Sequence, residues 1–261
     1  MKPIIALLTD FGDDVYVACM KAVILRINPE AIVLDVTHRI PAFDVRAGAY
    51  VAEAFAPELP EGSALVAVID PGVGAGRKCI AVKAGGRFLI GPDNGVLVPA
   101  AVRLGVEEAR EIASSKVIAS KVSPTFHGRD VFAPAAAWLT KGMEFSEIGP
   151  RLEKLQPAPY FSRVAGTEAI GEVVYVDAFG NLATSIRAED VEWLKPGAAV
   201  RAELAGRSLK LRLVKTFGEL REGELGLIVN SFSFLEIVAR EASAASLTAA
   251  SPGSRVKLAL A

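Results

Sequence analysis

An acid and an arginine flank a glycine-rich loop in the first half of the chain. Residues 64–69 are continuously apolar, which predicts a buried strand, and Asp70 follows directly. Three glycines separate Asp70 from Arg77, and glycines allow the backbone to approach a ligand closely. Because α/β folds place ligands at the carboxyl ends of their strands, both residues are candidates for a site. A solvated ion pair on a tight turn explains the same pattern equally well.

Further acids end other apolar runs of the first half. Asp10, Asp13 and Asp14 follow the first run, and Asp93 follows a later one. Asp10 fits a carboxylate that holds the hydroxyls of a ribose, whereas Asp13 or Asp14 equally fits an N-cap. Several carboxylates could bind Mg²⁺, but no His-rich or phosphate-binding motif accompanies them, and the glycine-rich loop lacks the ending of a P-loop.

The chain has two histidines, and both follow predicted strands or loops. His127 directly precedes an apolar helix, whose dipole favours the neutral imidazole. A catalytic role and a capping or packing role are equally compatible with this position, and His38 is an alternative to it. A serine-hydrolase motif, Gly-x-Ser-x-Gly, is absent from the sequence.

A glycine turn in the second half combines an acid, an aromatic ring and an amide. Asp177 could bind an ammonium group, Phe179 could stack on a ring, and Asn181 could contact the edge of a base. An ordinary β-turn accounts for the same residues. Residues 230–234 form a similar polar and aromatic segment, for which a bend with core-facing rings is the favoured interpretation.

The elements that must position these residues alternate between strand and helix up to about residue 157. Strands are predicted at 4–8, 31–36, 64–69, 79–82 and 87–90, and helices at 15–27, 45–55, from about 95, and 129–141. We therefore expect residues 1–157 to form an α/β domain with a mostly parallel sheet sandwiched by helices, in which the strand at 31–36 is buried.

The pattern changes after a proline-containing linker at 155–159. Short alternating strands and turns follow, with little helical period, and they predict an antiparallel, barrel-like β domain over 168–261. Strands are expected at 172–176, 182–186, 200–204, 209–214, 226–229, 235–239 and 255–260.

Composition excludes some classes of function. The 261 residues are 51% hydrophobic and carry a net charge of −1, which does not indicate a nucleic-acid surface. No run approaches the ~18–20 apolar residues of a membrane span, and the N-terminus enters a strand directly, so we expect a cytoplasmic protein with no membrane partner. Cys19 and Cys79 lack metal-ligand spacing and are interpreted as small buried hydrophobes.

Six motifs occur in an order that resembles a known family, the S-adenosyl-L-methionine (SAM) hydroxide adenosyltransferases, or SAM hydrolases. The fluorinating and chlorinating SAM halogenases are relatives of this family. The matching segments are residues 9–12, 37–48, 70–74, 91–95, 125–130 and 177–181. The resemblance implies attack of water on C5′ of the SAM ribose, with release of adenosine and L-methionine. It implies SAM as a substrate, with no cofactor and no metal.

The resemblance also implies a catalytic set of Asp70, Arg77 and His127, which positions and activates the water. Arg77 would stabilise the developing hydroxide charge, and either Asp70 or His127 would accept the proton. In the first domain, Asp10 matches the acid that binds the ribose diol, Phe43 matches an aromatic wall, and Asp14 is assigned to the methionine end.

In the second domain the resemblance assigns four further contacts with the substrate. Asp177 would hold the methionine ammonium, Asn181 and Phe179 would lie on the adenine side, and Ser231 would bind the methionine carboxylate. The halogenases follow the last residue with Arg, whereas this chain has Phe232. Family members are homotrimers, so the second domain is expected to complete the SAM site of a neighbouring subunit.

Three other functions remain open from the sequence. They are a halogenase that uses chloride, a SAM or adenosine sensor without turnover, and a carboxylate-metal hydrolase. The intact set of Asp70, Arg77 and His127, together with the absence of the fluorinases' extra loop in residues 94–112, favours water as the nucleophile.

Overall fold

The computed structural model describes residues 2–261, which divide into two compact units. The first unit ends at Pro159, and the second comprises Tyr160–Ala261. None of the helices within residues 2–261 has the length and apolar character needed to cross a membrane.

The first unit is built on a six-stranded sheet. Its strands are β1 (Ile4–Thr9), β2 (Ile32–Thr37), β3 (Ala64–Val68), β4 (Cys79–Ala84), β5 (Arg87–Pro92) and β6 (Val106–Glu111), in the spatial order β2-β1-β3-β5-β4-β6. β1 pairs in parallel with β2 and β3, and β3 pairs in parallel with β5. Only β4 runs against its neighbours β5 and β6, so the prediction of a mostly parallel sheet is confirmed.

Helices cover both faces of this sheet, as predicted. They are α1 (Val15–Ile27), α2 (Val45–Phe55), α3 (Val98–Leu104) and α4 (Ala133–Thr140). Ile5 and Leu7 of β1 share one core with residues of α1 and α4. Successive side chains of a strand point to opposite faces, so Ala6 and Leu8, which are fully buried, face the other side, where α2 and α3 pack.

The prediction that the second strand is buried is wrong. β2 lies at one edge of the sheet, where it has a single strand neighbour. Ile32 is 49% exposed and Leu34 is 41% exposed, because they lie on an edge strand. An apolar run cannot distinguish a central strand from an edge strand, since the strand order is decided by the rest of the fold.

Local sequence signals set the ends of the helices. Asp14 caps α1 and Asp44 caps α2, each through a carboxylate that accepts a backbone N–H. The helix predicted at 129–141 is two elements, a π-helical turn over Gly128–Phe132 followed by α4. Pro134 has no N–H to give to Asp130, and the free Asp130 carbonyl accepts the backbone N–H of Ala119 at 2.9 Å instead.

The second unit is an antiparallel, barrel-like sheet, as predicted. Its elements are β7 (Arg163–Ala165), β8 (Glu168–Val176), β9 (Leu182–Arg187), β10 (Ala199–Leu204), β11 (Arg207–Arg212), β12 (Leu225–Val229), β13 (Phe234–Ala239), α5 (Ala244–Thr248) and β14 (Arg255–Leu260). The strands follow the order β11-β10-β14-β8-β9-β13-β12, and β7 pairs with β8. A bridge between Leu213 and Leu227 joins the two ends of this order, which nearly closes the barrel.

Each unit also contains short 3₁₀ helices. They lie at Ala56–Glu58 and Phe145–Ile148 in the first unit and at Ala188–Val191 and Phe217–Glu219 in the second.

Candidate active site

Asp70 and Arg77 form a buried ion pair between the end of β3 and the start of β4. The Nε of Arg77 donates to both carboxylate oxygens at 3.0 Å, and its Nη2 donates to Oδ2. The side chains are only 5% and 11% exposed, respectively, so the pair is not the solvated one that a surface turn would carry. Oδ2 accepts two N–H groups and Oδ1 accepts one, which leaves Oδ1 with more capacity for a further donor.

His127 joins this pair through the same guanidinium. Nη2 of Arg77 lies 2.8 Å from Nδ1 of His127. A guanidinium can only donate, so Nδ1 is the acceptor and the neutral ring carries its proton on Nε2. Burial and then the charge of Arg77 lower the pKa of His127 from its ordinary value of 6.5, which keeps the ring neutral at physiological pH.

Cys79 is a fourth member of the cluster, and its interpretation as a lone buried hydrophobe missed this contact. Nη1 of Arg77 donates to its Sγ at 2.8 Å, and Sγ lies 3.6 Å from Nδ1 of His127. Burial raises the pKa of Cys79, so the thiol stays neutral and acts as an acceptor. Arg77 also lies 5.4 Å over the ring of Phe132, and its orientation is therefore fixed from several sides.

The arginine keeps its charge within this cluster. Burial opposes the charged form of Arg77, but the hydrogen bond and the charge of Asp70 outweigh it and raise the pKa of Arg77. The cluster thus combines one permanent cation, one carboxylate and one neutral imidazole. Removing either charged partner would leave the other buried without compensation.

The loop that carries Asp70 and the loop that carries His127 touch at a glycine. Gly74 has a φ of +74°, and a Cβ added to it would lie 2.4 Å from the carbonyl oxygen of Pro124. Only glycine permits so close an approach at this backbone conformation. The second loop is anchored by Asp130, whose Oδ2 accepts the backbone N–H of Ser123 at 2.8 Å.

A cavity of about 310 Å³ lies beside the cluster. It is lined by Asp10, Phe11, Tyr16, Ala42, Phe43, Val68, Asp70, Val73, Thr125, Phe126, His127 and Gly128. Four of the residues singled out from the sequence therefore meet at one cavity: Asp10, Phe43, Asp70 and His127. Arg77 is outside this lining set and contacts two of its members.

Asp10 and Phe43 contact each other at this cavity. The backbone N–H of Phe43 donates to Oδ2 of Asp10 at 2.9 Å. Phe43 has a φ of 68°, which is unfavourable for a residue with a side chain, and it is 70% exposed. The hydrogen bond that Phe43 donates to Asp10 holds the backbone of this strained residue at the cavity, an arrangement typical of binding sites.

Three aromatic rings in the cavity wall have no assigned role from the sequence. The ring centroids of Phe11 and Tyr16 are 5.6 Å apart, and those of Tyr16 and Phe126 are 4.9 Å apart. Phe11 and Phe126 lie in the matching segments 9–12 and 125–130, beside Asp10 and His127. Their place in these segments was the sequence signal that could have found them. Such rings supply an apolar, rigid surface for a planar or sulfur-containing ligand.

Two further candidates of the first unit, Asp14 and His38, lie elsewhere. Asp14 accepts the backbone N–H of Val15 at 2.6 Å as the cap of α1, and it is not among the residues that line the cavity. His38 is also not among the residues that line the cavity. Its two ring nitrogens contact Thr9 and Asp35.

In the second unit, Asp177 organises the turn that carries Phe179 and Asn181. Its Oδ1 accepts the backbone N–H groups of both residues at 2.9 Å, and its Oδ2 accepts from the amide of Asn181 at 2.9 Å. Phe179 is 80% exposed, whereas Asn181 is buried. The turn role and a binding role of Asp177 are compatible, because a carboxylate offers about four acceptor positions.

A second cavity, of about 580 Å³, lies next to this turn. Its lining consists of Phe179, Asn181, Phe217, Ala239, Arg240, Glu241, Ala242 and Ser243. Phe217 carried no sequence signal. Ser231 is exposed in the turn between β12 and β13, outside this lining. Burial raises the pKa of Glu236 on β13, and the charge of Asp177 adds to that effect.

Within residues 2–261, no group of three His, Cys, Asp or Glu side chains is arranged to hold a metal ion. The charged groups of the first cavity are those of Asp10, Asp70 and the adjoining Arg77. These groups can bind hydroxyls, accept a proton and stabilise an oxyanion.

Comparison with known proteins identifies the family. Family models for the N-terminal and C-terminal domains of SAM hydroxide adenosyltransferase match residues 5–149 and 171–257. An (R)-S-adenosyl-L-methionine hydrolase from Salinispora tropica is 39% identical over 98% of this chain and 97% of its own length. This chain belongs to the SAM hydroxide adenosyltransferase family, and the resemblance predicted from the motifs is confirmed.

A solved structure and a more distant relative agree with this family assignment. The crystal structure of an uncharacterized conserved protein from Thermotoga maritima matches with a TM-score of 0.91 and 35% identity, over 98% of this chain and 99% of that one. A fluorinase from Nocardia brasiliensis is 30% identical over 94% of this chain and 92% of its own length. The expected kinship with the halogenases is thereby confirmed as well.

Proposed function

We propose that this protein is an enzyme that hydrolyses SAM to adenosine and L-methionine. Its relative from Salinispora tropica is named for the (R) form of the substrate, so we infer that the (R) epimer is preferred. The observation that carries the proposal is the single guanidinium of Arg77, which contacts both Asp70 and His127 at the wall of a cavity.

The reaction requires one water and one proton acceptor. The water oxygen attacks C5′ of the ribose, the C5′–S bond breaks, and its electron pair remains on sulfur as the neutral thioether of methionine. The sulfonium is a good leaving group, so the protein's main tasks are to position the water and to remove its proton. Arg77 stabilises the negative charge that develops on the attacking oxygen.

The hydrogen bonds favour Asp70 over His127 as the proton acceptor. Nδ1 of His127 is occupied by the N–H of Arg77, and Nε2 carries the proton of the neutral ring. The imidazole therefore donates from Nε2, to the water or to the new hydroxyl group. Oδ1 of Asp70 has a free acceptor position, and we assign the proton to it.

The two cavities and the family assignment support a set of proposed substrate contacts. Oδ2 of Asp10 holds the backbone of Phe43, which leaves Oδ1 for the ribose diol, while the ring of Phe43 forms an aromatic wall. Asp14 remains a proposed contact for the methionine end, although its carboxylate caps α1.

The second unit supplies the remaining proposed contacts. Phe179 and Asn181 line one cavity and would face the adenine, Asp177 would bind the methionine ammonium, and Ser231 would bind the carboxylate. SAM is the substrate, and we propose no cofactor. Adenosine and L-methionine are the products, and neither nucleic acid nor a membrane is a partner.

We propose a homotrimer in which the second unit of one copy completes the site on the first unit of its neighbour. The high exposure of Phe43 and Phe179, at 70% and 80%, supports a site that is finished by another chain. A charged substrate that does not cross a bilayer freely supports a cytoplasmic enzyme.

The test is a product assay with the purified full-length protein. Each sulfonium epimer of SAM is incubated with the enzyme, with and without chloride, and products are separated by HPLC, with Asp70→Ala as the control. The proposal predicts equal amounts of adenosine and methionine, independent of chloride, faster from the (R) epimer and lost in the variant.

Other products would contradict the proposal in specific ways. A 5′-chloro nucleoside would assign the chain to the halogenases. SAM or adenosine that is bound but unchanged would indicate a sensor. Loss of activity on treatment with a strong chelator would indicate a metal-dependent hydrolase.

A further inference from the structure

His38 is held on both sides of its ring by residues of the first unit. Its Nδ1 lies 2.9 Å from Oγ1 of Thr9, and its Nε2 lies 2.9 Å from Oδ1 of Asp35. The His38 side chain is 13% exposed, and Thr9 is fully buried at the carboxyl end of β1. The proposed hydrolysis does not use this histidine, although it lies in one of the family's motifs.

The partners of His38 show that its ring donates a hydrogen bond to Asp35. Asp35 can only accept, and its other oxygen already binds Nζ of Lys21 at 2.6 Å. Burial opposes the ionised form of Asp35, but hydrogen bonds from Lys21 and His38 outweigh it and lower the pKa of Asp35. Nε2 of His38 therefore carries a proton, and Nδ1 lies at hydrogen-bond distance from the hydroxyl of Thr9.

The hydroxyl of Thr9 extends this chain to the cavity wall. Its oxygen accepts the backbone N–H of Phe11 at 3.2 Å, which fixes the residue that follows Asp10. The main chain of His38 binds the same loop, because its carbonyl accepts the N–H of Gly12 at 2.7 Å. Asp10 and Phe11 both line the cavity, so His38 holds one wall of it from outside.

We propose that His38 is a positioning residue, which sets the orientation of Asp10 and Phe11 through Thr9. This inference rests on the proposed function, since it assumes that the cavity binds SAM. His38 does not touch the water or the reacting carbon, so its loss weakens the binding of substrate and leaves the chemical step largely unchanged.

Two amide variants separate the two hydrogen bonds of the ring. In His38→Asn, the amide oxygen can accept at the position of Nδ1, which preserves the bond from Thr9. In His38→Gln, the longer amide can donate at the position of Nε2, which preserves only the bond to Asp35. Both variants remove the imidazole, so they form a matched pair.

The proposal predicts different Michaelis constants for this pair. KM for SAM rises about tenfold in His38→Gln, the effect of losing one buried hydrogen bond, and less than about threefold in His38→Asn. kcat stays within about threefold of the wild type in both. Thr9→Val removes this bond together with the one that Phe11 donates to the hydroxyl, so its KM rises at least as much as in His38→Gln, and adding His38→Gln to it gives no further increase.

Several outcomes would overturn the inference. Equal KM values for the two amide variants would do so, as would unchanged KM in both with a lower melting temperature, since either result means a purely stabilising role. A fall in kcat at constant KM would make His38 part of the chemistry instead. Wild-type protein run alongside keeps the two claims separate, because the absence of products there contradicts the proposed function itself.

Discussion

Nδ1 of His127 accepts a hydrogen bond from Nη2 of Arg77 at 2.8 Å. The same nitrogen of Arg77 also donates to Asp70, so one atom links the carboxylate to the imidazole. This contact fixes the tautomer of the ring and makes it a donor at Nε2. The proposed division of roles between Asp70 and His127 rests on this one contact.

Asp70→Asn should remove the proton acceptor while keeping the shape of the side chain. We predict that kcat falls by about 10²–10⁴, the usual contribution of a general base, with a smaller change in KM. The charge of Arg77 would then be buried without its partner, which costs about 3–5 kcal/mol of stability. Steady-state kinetics with SAM, corrected for the folded fraction from a thermal melt, measure the effect.

Asp13→Asn is the matched control for this variant. The carboxylate of Asp13 is 86% exposed and pairs with Arg39 at 3.5 Å, and the residue is outside the lining of the cavity. Surface ion pairs contribute at most ~1 kcal/mol, so activity and melting temperature should stay near those of the wild type. Equal losses of kcat in the two variants would argue against the assignment of Asp70.

The pH dependence of hydrolysis should reflect the lowered pKa of His127. The ring ordinarily titrates at 6.5, and burial together with Arg77 moves this pKa downward. We therefore expect activity to persist below pH 6.5 and to fall only as the pH passes through the lowered pKa. Protonation there places an N–H on Nδ1 against the N–H of Arg77, which breaks the cluster.

The lowered pKa of His127 also makes the stability of the folded protein fall as the pH falls. The unfolded chain binds the proton more readily than the folded one. The contribution of His127 to the free energy of unfolding is therefore fully present above pH 6.5 and is lost as the pH falls through the lowered pKa.

His127→Asn keeps an amide oxygen for Arg77 and does not titrate. A kcat profile whose acid limb is identical in this variant would contradict the role of His127 as the titrating group.

Gly74→Ala and Gly76→Ala test the contact between the two loops. Both glycines have positive φ values, +74° and +86°, so alanine costs about 1 kcal/mol at either position. A Cβ at Gly74 would also collide with Pro124, whereas a Cβ at Gly76 meets nothing within 4 Å. We predict a larger fall in both melting temperature and kcat for Gly74→Ala, and similar values for the pair would refute the contact.

Phe43→Gly should separate binding from stability. Glycine tolerates the φ of 68° that Phe43 adopts, and the exposed ring contributes little burial, so the melting temperature should not fall. The aromatic wall of the cavity is lost, and KM for SAM should rise about tenfold. A lower melting temperature with unchanged KM would show that Phe43 is structural.

Much of the fold could be predicted because apolar runs and helix-ending signals are local. α1 and α2 begin and end at the predicted residues, and Asp14 and Asp44 cap their first turns. β6 escaped prediction because its sequence is rich in glutamate and it lies at the end of the strand order, beside β4. The exposure of β2 was also beyond local reasoning, since it depends on strand order.

The sequence singled out residues of the cluster where they stood in a motif or directly beside one. Asp70 and His127 are 57 positions apart in the chain, and their meeting at Arg77 depends on the tertiary contact at Gly74. Cys79 has no motif signal, because a single thiol gains meaning only from its neighbours in space. The same holds for Phe217, which lines a cavity from a separate 3₁₀ helix.

Hydrolysis in water labelled with ¹⁸O tests the central claim most directly. The account predicts that adenosine released from SAM carries one ¹⁸O at its 5′ position and that methionine carries none, as mass spectrometry of the two products would show. Unlabelled adenosine, label in methionine, or a 5′-halogenated nucleoside in the presence of halide would contradict attack of water on C5′.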